Sequence, residues 1–226
     1  DFDNDGDKDF IVGNLGTNYK YQATMAEPFE VYASDFDKSG SLDIVLGYHE
    51  DGKVYPLRGR ECSSNQMPFI KEKFPNYNEY GLADISEVYG EEDLKKSLHY
   101  LVTTFATSYV ENLGNFKFKV TELDGMAQFS STNSILIDDF NGDGNIDALL
   151  SGNLYQAEVE TPRNDGGYGV LLEGNGKGEF NSKFPYENGL FVKGDVKNAR
   201  ILNSPPNGNK KIVFAKNDDI LQVVEY

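Results

Sequence analysis

The sequence predicts an all-β protein, a β-propeller fragment of four-stranded antiparallel blades with a small helical insertion. Three observations carry that expectation. Short apolar runs alternate with turns rich in Gly, Asn and Asp, and 23 of the 226 residues are Gly. A nine-residue acidic pattern occurs three times, each copy running into an apolar stretch. A strand–turn–strand unit recurs as well, and together these parts make four antiparallel strands per repeat.

The acidic copies are "DFDNDGDKD" at 1–9, "DFDKSGSLD" at 35–43 and "DFNGDGNID" at 139–147. All fit D-F-[DN]-x-[DS]-G-x-x-D, and they lead into "FIVG", "IVLG" and "ALLSG". The first and third continue into Gly13-Asn14-Leu15 and Gly152-Asn153-Leu154. Because the chain opens inside the first copy, with no strand or signal peptide ahead of it, it reads as a fragment.

The recurring hairpins are "SYVENLGNFKFKV" at 108–120 and "GVLLEGNGKGEFNSKF" at 169–184, each turning on Asn and Gly. Between the second and third acidic copies lies a long interval containing "NQMPFIKEKF" and "ADISEVYGEEDLKKSLHYL". There Leu94, Leu98 and Leu101 fall at helical spacing, with Glu91, Glu92 and Asp93 ahead of Lys95 and Lys96, as a helix dipole favours. A helical insertion over about 59–100 accounts for the interval, and removing it leaves a spacing near the ~40–50 residues of a propeller blade.

The expected organisation is one partial propeller over 1–226. It comprises part of a blade at 1–24, a blade at 25–125 carrying the insertion, a blade at 126–190 and a degenerate blade at 191–226. The last keeps the apolar runs "ARIL", "KIVFAK" and "ILQVVEY", but "NSPPNGNKK" stands where the acidic loop would be, so this blade is expected to bind no metal.

Composition excludes several classes. With 38% hydrophobic and 13% aromatic residues the chain can bury a core. No run of eighteen apolar residues exists, so no membrane-spanning helix is expected. A net charge of −16 without a basic patch disfavours nucleic acid. The single cysteine, Cys62, forms no intrachain disulfide and reads as an inert thiol.

The acidic loop has the chemistry of a cage for a hard cation. Side chains at loop positions 1, 3 and 5 can converge on one point, Gly at position 6 permits the turn, position 7 can offer its carbonyl, and Asp at position 9 can close the cage. Oxygen donors in that number suit Ca²⁺, while Mg²⁺ prefers more water and soft metals want Cys or His. The EF-hand is excluded because its position-12 Glu is replaced by Val12, Leu46 and Leu150, and the flanks read as strand. The competing reading is an acidic turn held by Asx-type hydrogen bonds without an ion. Close carboxylates repel one another, which favours an occupied loop.

"DFDNDGDKDFIVGN" and "DFNGDGNIDALLSGN" resemble the FG-GAP/VCBS repeats of calcium-binding β-propellers, a repeat type also seen in integrin α-subunit heads. The longer frame, from "GNLGTNYKY" through "FIKEKF" and "SYVENLGNFKF" to "GLFVKGDV", is similar to bacterial proteins resembling cartilage acidic protein. The resemblance covers nearly the whole chain. It implies side-chain ligands Asp1, Asp3, Asp5 and Asp9, with Asp7 giving its carbonyl. It implies the same of Asp35, Asp37, Ser39 and Asp43 with Ser41, and of Asp139, Asn141, Asp143 and Asp147 with Asn145. Ser39 and Asn141 depart from the all-Asp pattern, and the 35–43 loop is expected to bind more weakly.

No catalytic signature stands out. His49 and His99, the latter expected in the helix, belong to neither G-x-S-x-G nor H-E-x-x-H patterns and read as structural. "EGNGKGEF" is a hairpin turn, not a dinucleotide loop. Tyr19, Tyr21, Tyr155 and Tyr168, with the polar loop "QAEVETPRNDGG" carrying Arg163, suit contact with a sugar or peptide, although Tyr is also a common strand residue. The expected function is therefore an extracytoplasmic, calcium-stabilised binding or adhesion module for a glycan or protein. The enzymatic alternative is a polysaccharide lyase or hydrolase on the same scaffold. The remaining option is a structural repeat of a larger secreted protein, with further blades or a neighbouring copy completing the ring.

Overall fold

A computed structural model of the chain describes residues 1–157, 161–202 and 209–226. Among them are four antiparallel sheets and two compact units, one formed by 1–20 with 105–226 and the other by 21–104. No helix is long and apolar enough to cross a membrane among the described residues.

In chain order, β1 (Phe10–Val12) follows the first acidic loop. The 21–104 unit then contributes β2 (Phe29–Ser34), β3 (Asp43–Glu50) and β4 (Lys53–Pro56). Asp51 and Gly52 join β3 to β4 with φ of 50° and 75°, the two left-handed positions that a tight hairpin of this hand requires. Five short helices follow: α1 (Arg60–Gln66), α2 (Phe69–Lys73), α3 (Tyr77–Leu82), α4 (Ile85–Tyr89) and α5 (Glu91–Lys96). They fill the expected insertion, and α5 carries its acids in the first turn and its lysines in the last.

The helical spacing of Leu94, Leu98 and Leu101 does not carry through. Leu94 is buried in α5, but Ser97 turns extended and its hydroxyl donates back to the Leu94 carbonyl at 2.7 Å. Leu98, His99 and Leu101 therefore lie in β5 (Leu98–Val102), which pairs antiparallel with β2. Pairing along a sheet edge outcompetes another helical turn, and it leaves Leu98 and Leu101 mostly exposed. The sheet runs β4-β3-β2-β5. Tyr32, Phe36 and Val45 pack with Met67, Ile70, Ile85, Val88 and Leu94 in the core of this unit.

In the other unit, β6 (Ser108–Asn112) and β7 (Phe118–Glu122) form the expected hairpin, and β1 pairs with β6 to give a sheet β1-β6-β7. A 3-10 turn at Gly125–Gln128 leads to β8 (Ser134–Asp138), β9 (Asp147–Ser151), β10 (Val170–Gly174) and β11 (Phe180–Lys183). These four strands are a meander in sequence order. The short α6 (Pro185–Asn188) precedes β12 (Val196–Leu202), β13 (Lys211–Lys216) and β14 (Gln222–Glu225), a third sheet in sequence order. The expected strands of 191–226 are thus present, whereas 203–208, most of "NSPPNGNKK", lie outside the described residues. The strands of 25–125 divide between two sheets, β2 to β5 in one and β6 and β7 beside β1 in another.

The three sheets of this unit stack. Ala148, Leu150, Val170 and Leu172 on one face of β8–β11 pack with Phe2, Ile11 and Tyr109 of the β1 side. Leu136 and Leu149 on the other face pack with Val196, Ala199, Ile212 and Phe214 of the third sheet. This two-sided burial follows from the near-continuous apolar run of β9, buried at all five positions. Leu172 and Phe214 are completely buried, and each contributes about 1.5–3 kcal/mol.

Candidate metal centres

Each acidic loop is bent by two left-handed residues at the same positions. The fourth is Asn4, Lys38 or Gly142 (φ 62°, 60° and 78°), and the sixth is Gly6, Gly40 or Gly144 (φ 96°, 85° and 91°). Glycine at position six relieves the strain that a side chain would meet there. The bends turn alternate side chains inward.

In two loops this brings three carboxylates together. Oxygens of Asp1, Asp3 and Asp9 lie within 4.8 Å of one another, and so do those of Asp35, Asp37 and Asp43. In the third loop Asn141 takes the second of these places, and its amide donates to Asp143 at 3.3 Å. Asp139 there accepts from the N–H groups of Gly142, Asp143 and Gly144 at 2.7–3.1 Å.

Position five binds the backbone two residues on in every copy. Asp5 accepts from the N–H of Asp7 (2.8 Å), Ser39 from Ser41 (3.3 Å) and Asp143 from Asn145 (2.8 Å). Asp7, Ser41 and Asn145 are the residues expected to give carbonyls, and here their N–H groups fix the turn. Asp3 accepts likewise from Asp5, Asp37 from Ser39 and Asn141 from Asp143. These are Asx-type turns, so the loops are held by their own side chains as the competing reading requires.

Position nine has a second duty that the sequence reading did not include. One oxygen of Asp9, Asp43 and Asp147 accepts the N–H of Phe2, Phe36 and Phe140 at 2.9–3.0 Å, closing the loop on itself. The other reaches a neighbouring element. Asp9 accepts from the N–H of Asn112 at the end of β6, and Asp147 from that of Gly174 at the end of β10, both at 2.9 Å. Asp43 instead accepts from the Gln66 amide of α1 at 3.1 Å. The position-two Phe packs inward, with Phe2 6% and Phe36 8% exposed. The signal for that second duty is a carboxylate at the junction of each loop with the strand that follows, at the first residue of β3 and β9 and one residue ahead of β1.

The electrostatics of this carboxylate differ between copies. Burial opposes ionisation of Asp9, but the N–H groups of Asn112 and Phe2 and the Tyr109 hydroxyl outweigh it and lower its pKa. Burial dominates at Asp147, where the N–H groups of Gly174 and Phe140 offset it only in part and Asp143 adds repulsion, so its pKa is raised. Asp143 itself is lowered, chiefly by the N–H of Asn145. The donors around each loop are oxygens, and two loops concentrate three carboxylates; this set fits a hard divalent cation.

The repeated Gly-Asn-Leu motif is structural. A Cβ on Gly13 would stand 2.6 Å from the Thr132 carbonyl oxygen, and one on Gly152 would stand 1.7 Å from that of Ser131. Asn153 is completely buried, accepts from Ser130 and the Gly167 N–H, and donates to the carbonyls of Gly167 and Gly194 at 2.6–2.9 Å.

Both histidines meet one buried carboxylate. Glu30 on β2, 7% exposed, takes His49 at 3.0 Å through one oxygen and His99 at 2.9 Å through the other. The Tyr32 hydroxyl bonds the same carboxylate, and its ring stacks on His99 at 4.1 Å. Burial and Glu30 raise the Tyr32 pKa, so the hydroxyl stays protonated and donates.

The tyrosines of interest have separate surroundings. Tyr155 lies under the Arg163 guanidinium at 4.2 Å, and Tyr168 stacks on Phe191 at 4.9 Å. Tyr19 joins Asn18, Lys20 and residues 161–166 around an open cleft of about 210 Å³, where Arg163 pairs with Asp165 at 2.9 Å. Tyr21 belongs to the 21–104 unit and lies near Phe29 and Tyr48. Residues 158–160 of the polar loop lie outside the described residues.

No protein-family model matches this chain, and neither a curated protein nor a solved structure is detectably similar to it.

Proposed function

We propose that the loops 1–9, 35–43 and 139–147 bind Ca²⁺, and that the protein is a calcium-stabilised propeller-type binding or adhesion module. The observation that carries the calcium reading is the convergence of three carboxylates at positions one, three and nine in two copies of one loop. Asp1, Asp3 and Asp9 would hold one ion, and Asp35, Asp37 and Asp43 another. Asp139, Asn141, Asp143 and Asp147 would hold a third. The ion's contribution is to cancel repulsion among acids that the fold crowds together, and so to staple each loop to the strand that follows it.

Stacking of three antiparallel sheets in one unit, two of them meanders, supports the propeller reading, each sheet serving as a blade of the FG-GAP/VCBS type that the loops resemble. Sites built from few carboxylates on a turn suit the ~10⁻⁴–10⁻³ M calcium found outside cells, which supports an extracytoplasmic setting. The cleft beside Tyr19 and Arg163 supports a glycan or peptide as the bound partner, since one aromatic side chain and several adaptable polar groups line it. A glycan and peptide array, read with and without calcium, tests the module. Retention of a ligand unchanged supports it. Release of new reducing ends or unsaturated products from a polysaccharide would replace it with the lyase or hydrolase reading.

A further inference from the structure

Two of the acidic loops meet at one hairpin tip. The β10–β11 turn is braced from within, the Asn175 side chain accepting from the N–H groups of Lys177 and Glu179 at 2.9 and 3.3 Å. On one side it is held by the loop 139–147. Asp147 accepts the Gly174 N–H at 2.9 Å, and a Cβ on Gly174 would stand 2.2 Å from the Ile146 carbonyl oxygen. On the other side it holds the loop 1–9. The Asn4 amide donates to the Gly176 carbonyl, and the Gly178 N–H donates to the Phe2 carbonyl, both at 3.0 Å.

Gly176 stands between the two loops. A Cβ there would lie 2.6 Å from Asn145 Oδ1 and 2.8 Å from Asn4 Nδ2, and the φ of 69° also calls for glycine. Asn4 is position four of its loop and Asn145 position seven of the other. Neither Asn4 nor any residue of the turn belongs to the proposed ligand sets. The loop 35–43 has no such link. Among the described residues its hydrogen bonds stay within the loop or run to Gln66 of α1.

We infer that calcium binding at 1–9 and at 139–147 is positively coupled through the β10–β11 turn, and that binding at 35–43 lies outside this coupling. The inference rests on the calcium half of the proposed function. Closure of 139–147 on an ion fixes Asn145 and Asp147, and through them the turn from Gly174 to Gly178. The Gly176 carbonyl and the Gly178 N–H are then already placed for Asn4 and Phe2. The loop 1–9 therefore gives up less conformational entropy when it closes in its turn. Linkage makes the effect reciprocal. The link is two hydrogen bonds and one close backbone contact, which places the coupling low in the ordinary range, at about 5–20-fold in affinity.

The test is a calcium titration followed by hydrogen exchange and mass spectrometry, which reports each loop through its own peptide. Each site is weakened in turn by an isosteric change, Asp3→Asn or Asp139→Asn, and the affinity of the other loop is read. The loop that fills second in the parent is expected to lose about 5-fold or more in affinity, and 35–43 should not change. Asn4→Gly removes the bridging amide and places at position four the glycine that 139–147 already carries as Gly142. In that background the loss should shrink to about 2-fold or less. A readout that needs no variant is the turn itself, whose amides at 176–178 should gain protection in the parent as 139–147 fills. Unchanged affinities at both loops, a loss shared equally by 35–43, or a loss indifferent to Asn4 would overturn the inference while leaving calcium binding intact. Absence of binding at every loop would overturn the calcium reading and this inference with it, so the two failures are distinct.

Discussion

Replacing Asp147 by alanine should destabilise the protein in the complete absence of metal. Its side chain is 0% exposed and receives two backbone N–H groups, those of Phe140 and Gly174, each at 2.9 Å. Truncation leaves both donors without an acceptor. The Gly174 amide is buried and loses about 1–3 kcal/mol; the Phe140 amide is only partly buried and loses less. Together these amount to about 2–4 kcal/mol. For a chain of this length that lowers Tm by roughly 5–15 °C. The assay is urea and thermal unfolding by circular dichroism in EDTA, with Asp143→Ala as the comparison. Asp143 is exposed and bonds chiefly within its own loop, so its loss should leave stability close to that of the parent. An Asp147→Ala protein as stable as its parent would refute the clasp, and so would an Asp143→Ala protein equally damaged.

Two further outcomes follow from the 21–104 unit. Glu30→Ala should cost about 2–5 kcal/mol by urea unfolding, because Tyr32, His49 and His99 all lose their shared acceptor; a change below about 0.5 kcal/mol would remove that role. Asp84 caps α4, accepting from Ser86 and Glu87 at 2.7–3.0 Å, and the Ser86 hydroxyl foremost holds its pKa below the ordinary value. Its stabilisation is therefore present above about pH 4 and lost as pH falls through the lowered pKa. Asp84→Ala should cost about 0.5–2 kcal/mol at pH 7, with the gap to the parent closing in acid. A gap that widens on acidification would contradict the sign.

Much of this architecture was legible because its signals are local. The loops at 1–9, 35–43 and 139–147 combine a left-handed glycine with acids at fixed offsets, and the hairpins β6–β7 and β10–β11 turn on Asn and Gly. Pairing between distant segments was not legible. Nothing in Phe10–Val12 specifies Ser108–Asn112 as its partner, because a β edge accepts many strands and the choice is made by packing. The same holds for Leu98–Val102, whose leucines match a helix in spacing but are claimed by β2. Position nine was recognised as a carboxylate that could close the loop, but its clasp on the next element was not. Asn112 and Gly174 lie far along the chain, and a backbone N–H carries no side-chain signature. Glu30 drew no notice for a related reason, since its partners His49 and His99 converge only once β3 and β5 flank β2.

The most direct test of the central claim is calorimetric titration of chelator-stripped protein with calcium, followed by thermal unfolding at saturation. The account predicts two or three sites, with about 2.7 kcal/mol of added stability per site at ~100-fold excess over Kd. The 35–43 loop, with Ser39 at position five, should be the weakest of them. Absence of binding heat together with an unchanged Tm would contradict the account, and the loops would then be acidic turns held by Asx hydrogen bonds alone.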